Sequence, residues 1–423
     1  MRAEIVTIGD ELTRGEIVDT NSSWLAARLW DEGIAVAWMT SCRDLADDIR
    51  RAITDATGRA DLVLVSGGLG PTEDDLTVEV VAGLVGAEPV EEPAALARLE
   101  QLMAARARPL TDVARRQVRV PAGATVFPNG VGLAPGFGVE LGGVLVACMP
   151  GVPRELHAIF DGTAGADGSL GQRIRALRDG RGGVPHLARR VYRVFGRTES
   201  QLSEVLRGVL DGVAGASIHY QVKFPETLIK LVVADGDAAQ AEAALAGLDG
   251  EVRGRIGRWI YGEGPPALPA VVAGLLAAQG RTLAVAESCT GGLLGQLLTD
   301  GAGASRFFLG GAITYADAEK VRALGVPREV LAEHGAVSEA CVRAMAAGIR
   351  AATGADLGVA ISGIAGPDGG TADKPVGTVW LAVDDGGGGD TMTFRWPGSR
   401  DQVRTLAAWW ALAMVRARCE VTA

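Results

Sequence analysis

The stretch from Leu283 to Leu294 constrains the fold and chemistry of this chain more than any other. Leu283–Ala286 is a short apolar run that predicts a buried strand, and a helical pattern of leucines begins at Leu293. Between them lies the turn 287–292, ESCTGG, with two hydroxyls, a thiol and two glycines. Glycines let a backbone approach a ligand, and a helix N-terminus points N–H groups at negative charge. The stretch predicts an active-site turn or, on the same residues, a helix capped by Ser288 or Thr290.

The N-terminal third alternates apolar runs with helical stripes. Ala3–Ile8 predicts a strand, Asp19–Glu32 a helix, and Ile34–Met39 a second strand. A helix over 46–57 then leads into a fully buried strand at 61–66. Strands that alternate with helices indicate parallel βαβ units, with ligands at the carboxyl ends of the strands.

Length and composition predict more than one domain. The 423 residues exceed what one hydrophobic core usually serves. Residues 163–185 are rich in Gly, Ala, Arg and Asp without an apolar period, and 262–266 reads GEGPP, so both are interpreted as linkers. The predicted domains are 1–165, 186–262 and 266–421, of which the middle one is a small α+β unit.

The charge and the apolar segments exclude several classes of protein. A formal charge of −10 argues against general binding to nucleic acids or anionic membranes. The N-terminus does not resemble a signal peptide, and no apolar stretch is long enough to span a bilayer. The five cysteines are scattered and lack C-x-x-C spacing, which indicates reduced thiols. We expect a soluble, cytoplasmic protein.

A second chemical stretch, 66–77, follows the buried strand at 61–66 and reads SGGLGPTEDDLT. Gly67, Gly68 and Gly70 are candidates to wrap a phosphate with backbone N–H groups. Thr72 is a candidate cap for the next helix, which would place two acidic residues in its first turn. The alternative is that Asp74 and Asp75, with Glu11 from the end of the first strand, hold a divalent cation over that phosphate.

Further motifs surround the opening stretch in the C-terminal part. Tyr315 and Lys320 follow a predicted strand, although such a pair is more often structural than functional. A glycine-rich turn, 363–370, follows another buried strand and contributes Gly363, Gly366, Gly369 and Gly370. Together the glycine-rich turns predict a pocket lined by backbone amides.

These motifs resemble the competence/damage-inducible protein A (CinA) family over essentially the whole chain. The C-terminal set is AESCTGG, Y-x-x-x-x-K, GAVSE, GIAGPDGG and KPVGTVW, and it resembles the nicotinamide-nucleotide amidase domain. The N-terminal set is IGDEL, DTN, SGGLGPTEDDLT, APGF and MPGVP, and it resembles the molybdopterin-binding-like domain. Residues 186–262 resemble the KH-like connector. The resemblance implies an α/β chain: a three-layer N-terminal domain, the α+β connector and an α/β amidase domain.

The resemblance implies two hydrolytic activities. The C-terminal domain would convert nicotinamide mononucleotide to nicotinate mononucleotide and ammonia without a cofactor. The N-terminal domain would cleave ADP-ribose to AMP and ribose 5-phosphate with a divalent metal such as magnesium, manganese, cobalt or nickel. The chain departs from the family pattern at three sites: Asp10 replaces threonine, Asp19 replaces asparagine, and Ala316-Asp317 replaces serine-asparagine.

The amidase hypothesis assigns roles to individual side chains. Ser288 is the nucleophile, Lys320 the base that takes its proton, and Tyr315 a proton relay or a support for the lysine. The substrate would contact Glu287 and the segment Thr290, Gly291 and Gly292, whose N–H groups could stabilise an oxyanion. Cys289 is the rival nucleophile, but no histidine lies in these motifs to activate it.

Two alternatives and one assembly state accompany this hypothesis. The N-terminal domain could bind a molybdopterin-like pterin phosphate without turnover, or the protein could be a partner in competence or DNA damage. No basic stripe with interleaved aromatics occurs in 186–260, so nucleic acid is not an expected ligand. Nucleotides are the expected small-molecule partners. A homodimer is expected from a tryptophan-containing helix around Trp409 and Trp410, interpreted as exposed.

Overall fold

The computed structural model describes residues 1–162, 168–182 and 185–421. The chain divides into two compact units, Met1–Leu187 with Ala234–Ala241, and Ala188–Val233 with Glu242–Ala423. Most of the connector expected at 186–262 therefore belongs to the same compact unit as the C-terminal part. Within the described ranges, no helix has the length and apolar character needed to cross a membrane.

The N-terminal unit is built on a six-stranded sheet in the order β2-β1-β3-β8-β7-β6. Its first four strands are parallel, and β7 and β6 are antiparallel additions at one edge. The remaining two strands, β4 and β5, pair with each other. The strands are β1 (Arg2–Ile8), β2 (Ala35–Cys42), β3 (Leu62–Ser66), β4 (Pro89–Glu91), β5 (Arg119–Pro121), β6 (Thr125–Phe127), β7 (Gly136–Leu141) and β8 (Val144–Met149). The helices are α1 (Asp10–Thr13), α2 (Thr20–Asp31), α3 (Ala46–Thr57), α4 (Thr77–Val85), α5 (Pro93–Ala105), α6 (Asp112–Arg116), α7 (Pro153–Asp161) and α8 (Leu170–Arg181).

Helices cover both faces of this sheet. Side chains alternate along a strand, so Val6 and Ile8 of β1 join one core with α3 and α4, while Ile5 joins the opposite core. That second core includes Leu25 and Leu29 of α2. The three-layer α/β fold expected for this domain is confirmed.

The segment interpreted as a linker at 163–185 contains a helix. Helix α8 begins with a capping box formed by Ser169 and Gln172, and its residues Leu170 and Ile174 are buried in the core beside α7. The linker prediction was wrong for 170–181, because two apolar residues one turn apart are a weak signal among glycines and arginines. Residues 163–167 and 183–184, also within that prediction, lie outside the described residues.

The rest of the chain carries two further sheets. The connector sheet has the order β10-β11-β9-β12, and the C-terminal sheet has the order β14-β13-β15-β16-β17. Their strands are β9 (His186–Phe195), β10 (Ala216–Lys223), β11 (Glu226–Asp235), β12 (Ile260–Glu263), β13 (Leu283–Glu287), β14 (Phe308–Ile313), β15 (Leu357–Gly363), β16 (Thr378–Asp384) and β17 (Asp390–Arg395). The helices are α9 (Glu199–Val205), α10 (Ala238–Ile256), α11 (Leu268–Gln279), α12 (Leu293–Thr299), α13 (Asp317–Leu324), α14 (Arg328–His334), α15 (Glu339–Thr353) and α16 (Arg400–Val421).

The C-terminal sheet is mixed, with its parallel strands beside the opening stretch. Strand β13 is parallel to both β14 and β15, whereas β16 and β17 are antiparallel. One face packs against α11, α12 and α16, and the other face packs against α13 and α15. Consequently the carboxyl ends of three neighbouring parallel strands meet at one edge, as the strand–turn–helix pattern predicts.

Two other expectations are corrected in this part of the chain. The segment interpreted as a second linker is held in place, because Arg193 donates hydrogen bonds to the carbonyls of Gly264 (2.6 Å) and Pro265 (2.8 Å). Trp409 is buried in the core, not exposed, since α16 packs lengthwise on the sheet.

Candidate active sites

Ser288 lies directly after β13, between the ends of the two strands that flank it. Its N–H donates to the carbonyl of Ile361 in β15 (3.0 Å), and the N–H of Thr314, after β14, donates to the carbonyl of Glu287 (2.8 Å). The side chain is 8% exposed. Thr314, Ser288 and Ser362 therefore follow one another across the carboxyl edge of the sheet.

The turn after Ser288 is shaped by the carboxylate of Glu287. This buried carboxylate accepts the N–H groups of Gly292 (3.0 Å), Leu294 (3.1 Å) and Gly295 (2.8 Å) at the start of α12. Glu287 thus satisfies the helix N-terminus that was expected to face a ligand. Its predicted role in substrate binding would require these bonds to break.

The N–H groups in the turn divide into engaged and free donors. Gly291 donates to the carbonyl of Ser288 (3.1 Å), and Gly292 donates to Glu287. Across the described part of the chain, the N–H groups of Cys289 and Thr290 have no hydrogen-bond acceptor. Of the three residues expected to stabilise an oxyanion, only Thr290 has a free N–H donor. The N–H groups of Gly291 and Gly292 are already engaged, and these glycines form the turn. Gly292 has a φ of 98°, and a Cβ there would lie 3.2 Å from Ile313 Cδ1.

Lys320 extends from α13 to the end of the neighbouring strand β14. Its side chain is 1% exposed, and Nζ donates to the carbonyls of Thr314 (3.1 Å) and Tyr315 (3.2 Å) and to Asp317 Oδ1 (3.4 Å). An ammonium has three N–H donors, which these acceptors match. Both residues lie in the part of the chain that the structure describes, and no hydrogen bond joins Ser288 to Lys320. The structure therefore brings the predicted base to the adjacent strand end but not into contact with the predicted nucleophile.

Two arginines of α16 also reach this site. Arg400 donates to the Gly366 carbonyl (2.8 Å) and to the hydroxyl of Tyr315 (3.3 Å), which is 61% exposed. Arg404 donates to the carbonyl of Thr290 (2.8 Å). Sequence reasoning missed both arginines, because they stand on a helix far along the chain from every motif.

The environment of Cys289 disfavours its thiolate. Burial raises the pKa of the Cys289 thiol to about 12, although Arg400 and Arg404 act in the opposite direction. The thiolate is the nucleophilic form of cysteine, so this residue is inert near neutral pH. Between the two adjacent candidates, the electrostatics favour Ser288.

The glycine-rich turn 363–370 begins beside Ser288. Gly363 ends β15, and Gly366 is held through its carbonyl by Arg400. Gly369 and Gly370 are exposed at the rim. The turn therefore runs from a half-buried glycine next to Ser362 to two exposed glycines, and the amide-lined pocket stays a prediction.

The second glycine-rich stretch lines a cleft of about 490 Å³ in the N-terminal unit. Gly67, Gly68 and Gly70 form one wall, and the turn 150–153 forms the other. Gly67 donates its N–H to the carbonyl of Met149 (3.0 Å), and Gly70 donates to Asp75 Oδ1 (2.7 Å). Among the three glycines, all described, only Gly68 keeps an N–H without an acceptor, so the expected phosphate cradle is partly filled by the loop's own bonds.

Asp75 braces this loop. Its Oδ1 accepts from Gly70, and its Oδ2 accepts from both the N–H (2.8 Å) and the hydroxyl of Thr72. Helix α4 begins only at Thr77, so the expectation that Thr72 caps it with the two aspartates in its first turn was wrong. Both aspartates line the cleft, but the carboxylate of Asp75 is engaged by the N–H groups of its own loop.

Acidic side chains gather on one side of the cleft. Glu11, Asp44 and Asp74 line it together. Burial raises the pKa of Asp44, and the negative charges of Glu11, Asp10 and Asp74 raise it further. Asp44 was not singled out from the sequence, although its place just beyond the carboxyl end of β2 is a usable signal. In residues 1–162, 168–182 and 185–421, no group of three or more acidic, histidine or cysteine side chains is arranged to enclose a metal ion.

Family models match this chain in three successive segments. Residues 266–419 match the model of the CinA C-terminal domain, 189–262 the damage-inducible protein CinA KH domain, and 4–165 a domain described as "Probable molybdopterin binding domain". A CinA-like protein from Anaeromyxobacter dehalogenans is 43% identical over 418 residues, covering 98% of this chain and 99% of that protein. The chain belongs to the CinA family. A CinA-like protein from Geobacter sulfurreducens is 40% identical, with 99% of each chain covered. A crystal structure of a CinA superfamily protein from Klebsiella pneumoniae is 42% identical over 36% of this chain and 96% of that chain, with a TM-score of 0.36.

The three departures of this CinA-family chain have structural partners. Asp10 and Asp44 exchange backbone-to-carboxylate hydrogen bonds (2.7 and 3.3 Å), which join the ends of β1 and β2. Asp19 caps α2 by accepting the N–H of Ser22 (2.8 Å). Asp317 supplies the third acceptor for Lys320. The first adds negative charge to the N-terminal cleft, and the last adds a carboxylate beside the candidate base.

Proposed function

We propose that the C-terminal domain hydrolyses the carboxamide of nicotinamide mononucleotide to give nicotinate mononucleotide and ammonia. The observation that carries this proposal is a buried serine at the end of β13 and a buried lysine whose amine reaches the end of the adjacent parallel strand β14. A serine hydroxyl becomes an effective nucleophile only when a base takes its proton. Serine–lysine pairs perform this chemistry on unrelated folds.

Each step of the hydrolysis has a candidate group. Ser288 Oγ attacks the amide carbon, and its proton goes to the amine of Lys320 in its neutral form. The free N–H groups of Cys289 and Thr290 stabilise the oxyanion, and a donor of this kind typically contributes about 3 kcal/mol. Ammonia leaves with a proton returned by the lysine, and water then hydrolyses the acyl-serine ester.

The phosphate of the substrate finds positive charge at the same edge. Arg400 lies between Tyr315 and the glycine-rich turn 363–370, and it makes no ion pair within the described residues. Tyr315 is exposed, which suits a contact with substrate better than a role in the proton path. We assign the phosphate to Arg400 and to the N–H groups near Gly369 and Gly370.

Ammonia release from nicotinamide mononucleotide tests the proposal. Ser288→Ala should lower kcat about 10³-fold or more, as removal of a nucleophile does. Cys289→Ala, at the adjacent position, is the matched control and should retain the wild-type rate. A wild-type enzyme that releases no ammonia would refute the substrate assignment.

For the N-terminal cleft we propose hydrolysis of the pyrophosphate of ADP-ribose to AMP and ribose 5-phosphate. The acidic side chains facing a glycine-rich turn support it. Mg²⁺ usually binds through one or two carboxylates together with substrate phosphates, so a preformed cage of ligands is not required. Asp74 and Asp44, with Glu11, fit this mode, whereas both oxygens of Asp75 are used by the loop. Such an ion would polarise the phosphoryl group.

A binding module of the molybdopterin type is the competing function for this cleft. Hydrolysis of ADP-ribose is therefore measured together with the pterin content of the purified protein. AMP formation from ADP-ribose that EDTA abolishes and Asp74→Asn reduces would favour the hydrolase. Pterin released from the purified protein, with no AMP formed, would favour the binding module. A salt-dependent shift of DNA mobility would instead favour the competence role.

A further inference from the structure

Thr314 carries a buried hydroxyl that the chemistry above does not use. The residue is 1% exposed, and Oγ1 has no hydrogen-bond partner in the described part of the chain. A buried hydroxyl without a partner destabilises the folded state, which a valine of the same shape would avoid. Packing alone therefore does not explain threonine at this position.

The position of Thr314 relates it to both candidate catalytic groups. Glu287 of β13 pairs with Ile313 of β14, so Ser288 and Thr314 are the next residues on two adjacent strands, which run about 4.8 Å apart. The carbonyl of Thr314 accepts from Lys320 Nζ (3.1 Å). Thr314 thus neighbours the nucleophile through the strand pairing and contacts the base through its carbonyl, while Ser288 and Lys320 are not themselves hydrogen-bonded.

We propose that Thr314 is a relay residue that carries the proton from Ser288 to Lys320, an inference that rests on the proposed amidase chemistry. As Ser288 Oγ bonds to the carbonyl carbon, its proton passes to Thr314 Oγ1, and the proton of Thr314 passes to the neutral amine of Lys320. That amine keeps two N–H donors for the carbonyls of Thr314 and Tyr315. The neutral amine gives up its longest contact, the 3.4 Å contact to Asp317, and its lone pair accepts the proton of Thr314.

The relay needs only a local rotation. The threonine χ1 has three staggered positions, and catalytic hydrogen bonds are often long or absent before substrate binds. The hydroxyl on the other side of Ser288 is different, because Ser362 Oγ already donates to the carbonyl of Ala336 (2.7 Å). Ser362 is therefore a natural control for proximity without a relay.

The test measures the nucleophilicity of Ser288 separately from substrate turnover. A fluorophosphonate labels an activated serine by forming an O–P bond as fluoride leaves, and its rate is followed from pH 6 to 9 alongside kcat for ammonia release. We expect Thr314→Val to slow both about 10²-fold, the contribution of a proton-transfer group, with an unchanged KM and an unchanged or higher Tm. Thr314→Ser should restore both rates. Ser362→Ala should lower Tm, because Ala336 loses its donor, while the labelling rate and its pH profile stay as in the wild type.

The outcomes separate the relay from the substrate assignment. Wild-type rates in Thr314→Val at every pH, or a Thr314→Ser variant as slow as Thr314→Val, would overturn the relay. Labelling of Ser288 without ammonia release would refute nicotinamide mononucleotide as the substrate, and the labelling rates would still decide the relay. If the wild-type protein is not labelled at Ser288, the nucleophile and the relay are both wrong.

Discussion

At the scale of single residues, two adjacent side chains show how burial selects the chemistry. Ser288 and Cys289 lie in the same turn, but only the thiol needs to ionise before it can attack. Burial opposes that ionisation, and the serine has a lysine one strand away. The sequence alone left this choice open, because it does not show that the thiol is buried.

Alkylation of Cys289 tests this account of the turn. Because its pKa is about 12, the thiolate fraction stays small up to pH 9, so iodoacetamide should modify Cys289 far more slowly than a free cysteine of ordinary pKa. Peptide mass spectrometry across pH 7–9 measures the modification, with added free cysteine as the internal reference. Modification of Cys289 at the rate of the reference would contradict the account.

The acidic cleft makes a prediction about stability and pH. The raised pKa of Asp44 means that the folded state binds this proton more tightly than the unfolded state does. Stability therefore falls as pH rises from the ordinary aspartate range through the raised value. Asp44→Asn removes this loss, so it should raise the urea midpoint at pH 7 and change it little at pH 3.

Two comparisons complete that test. Adding Mg²⁺ at pH 7 should raise the midpoint of the wild type more than that of Asp44→Asn. The account fails if Asp44→Asn is destabilised equally at both pH values.

At the scale of elements, the sequence predicted the buried strands better than it predicted the roles of side chains in the turns that follow them. The apolar runs at 283–287 and 62–66 mark β13 and β3 because a fully buried strand leaves a continuous hydrophobic signal. The roles within the turns were not predictable. Glu287 and Asp75 looked like ligands, yet each uses its carboxylate to satisfy nearby backbone N–H groups, which only the folded geometry reveals.

The cap formed by Glu287 should contribute measurably to stability. Glu287→Gln removes a charged acceptor shared by three N–H groups, so we expect a loss of about 1.5–3 kcal/mol in the free energy of unfolding. Glu319→Gln is the matched control, because its carboxylate pairs with Arg322 at the surface, where an ion pair contributes little to stability. Urea denaturation measures both variants. Equal losses would argue against the cap.

At the scale of the whole molecule, the sequence indicated the layers of the fold but not the contacts made over long sequence separations. The linker expected at 262–266 is fixed by Arg193, more than seventy residues earlier. Arg400 and Arg404, from the last helix, complete the site around Ser288. No local pattern announces such contacts, since an arginine on a helix surface has the same sequence signature whether it is solvated or engaged.

The buried ion pair between Arg193 and Glu226 (2.6 Å) lies within the connector, and its contribution to the free energy of unfolding can be measured. Glu226→Leu leaves a buried guanidinium without its carboxylate, which should cost about 3–5 kcal/mol. Adding Arg193→Met in the same chain should recover part of that loss, because the uncompensated charge is removed. Urea denaturation of the single and double variants decides the point. A double variant less stable than the single one would show that the bonds from Arg193 to Gly264 and Pro265 outweigh the charge pair.

The central claim, that Ser288 is the nucleophile of an amidase, is tested most directly by trapping the acyl-enzyme. The protein is mixed with nicotinamide mononucleotide, quenched in acid within milliseconds, digested with trypsin, and the peptide 282–306 is fragmented in a mass spectrometer. The account predicts a nicotinate-mononucleotide acyl group on the oxygen of Ser288, absent from Ser288→Ala. An acyl group on Cys289, or steady ammonia release from Ser288→Ala, would contradict it.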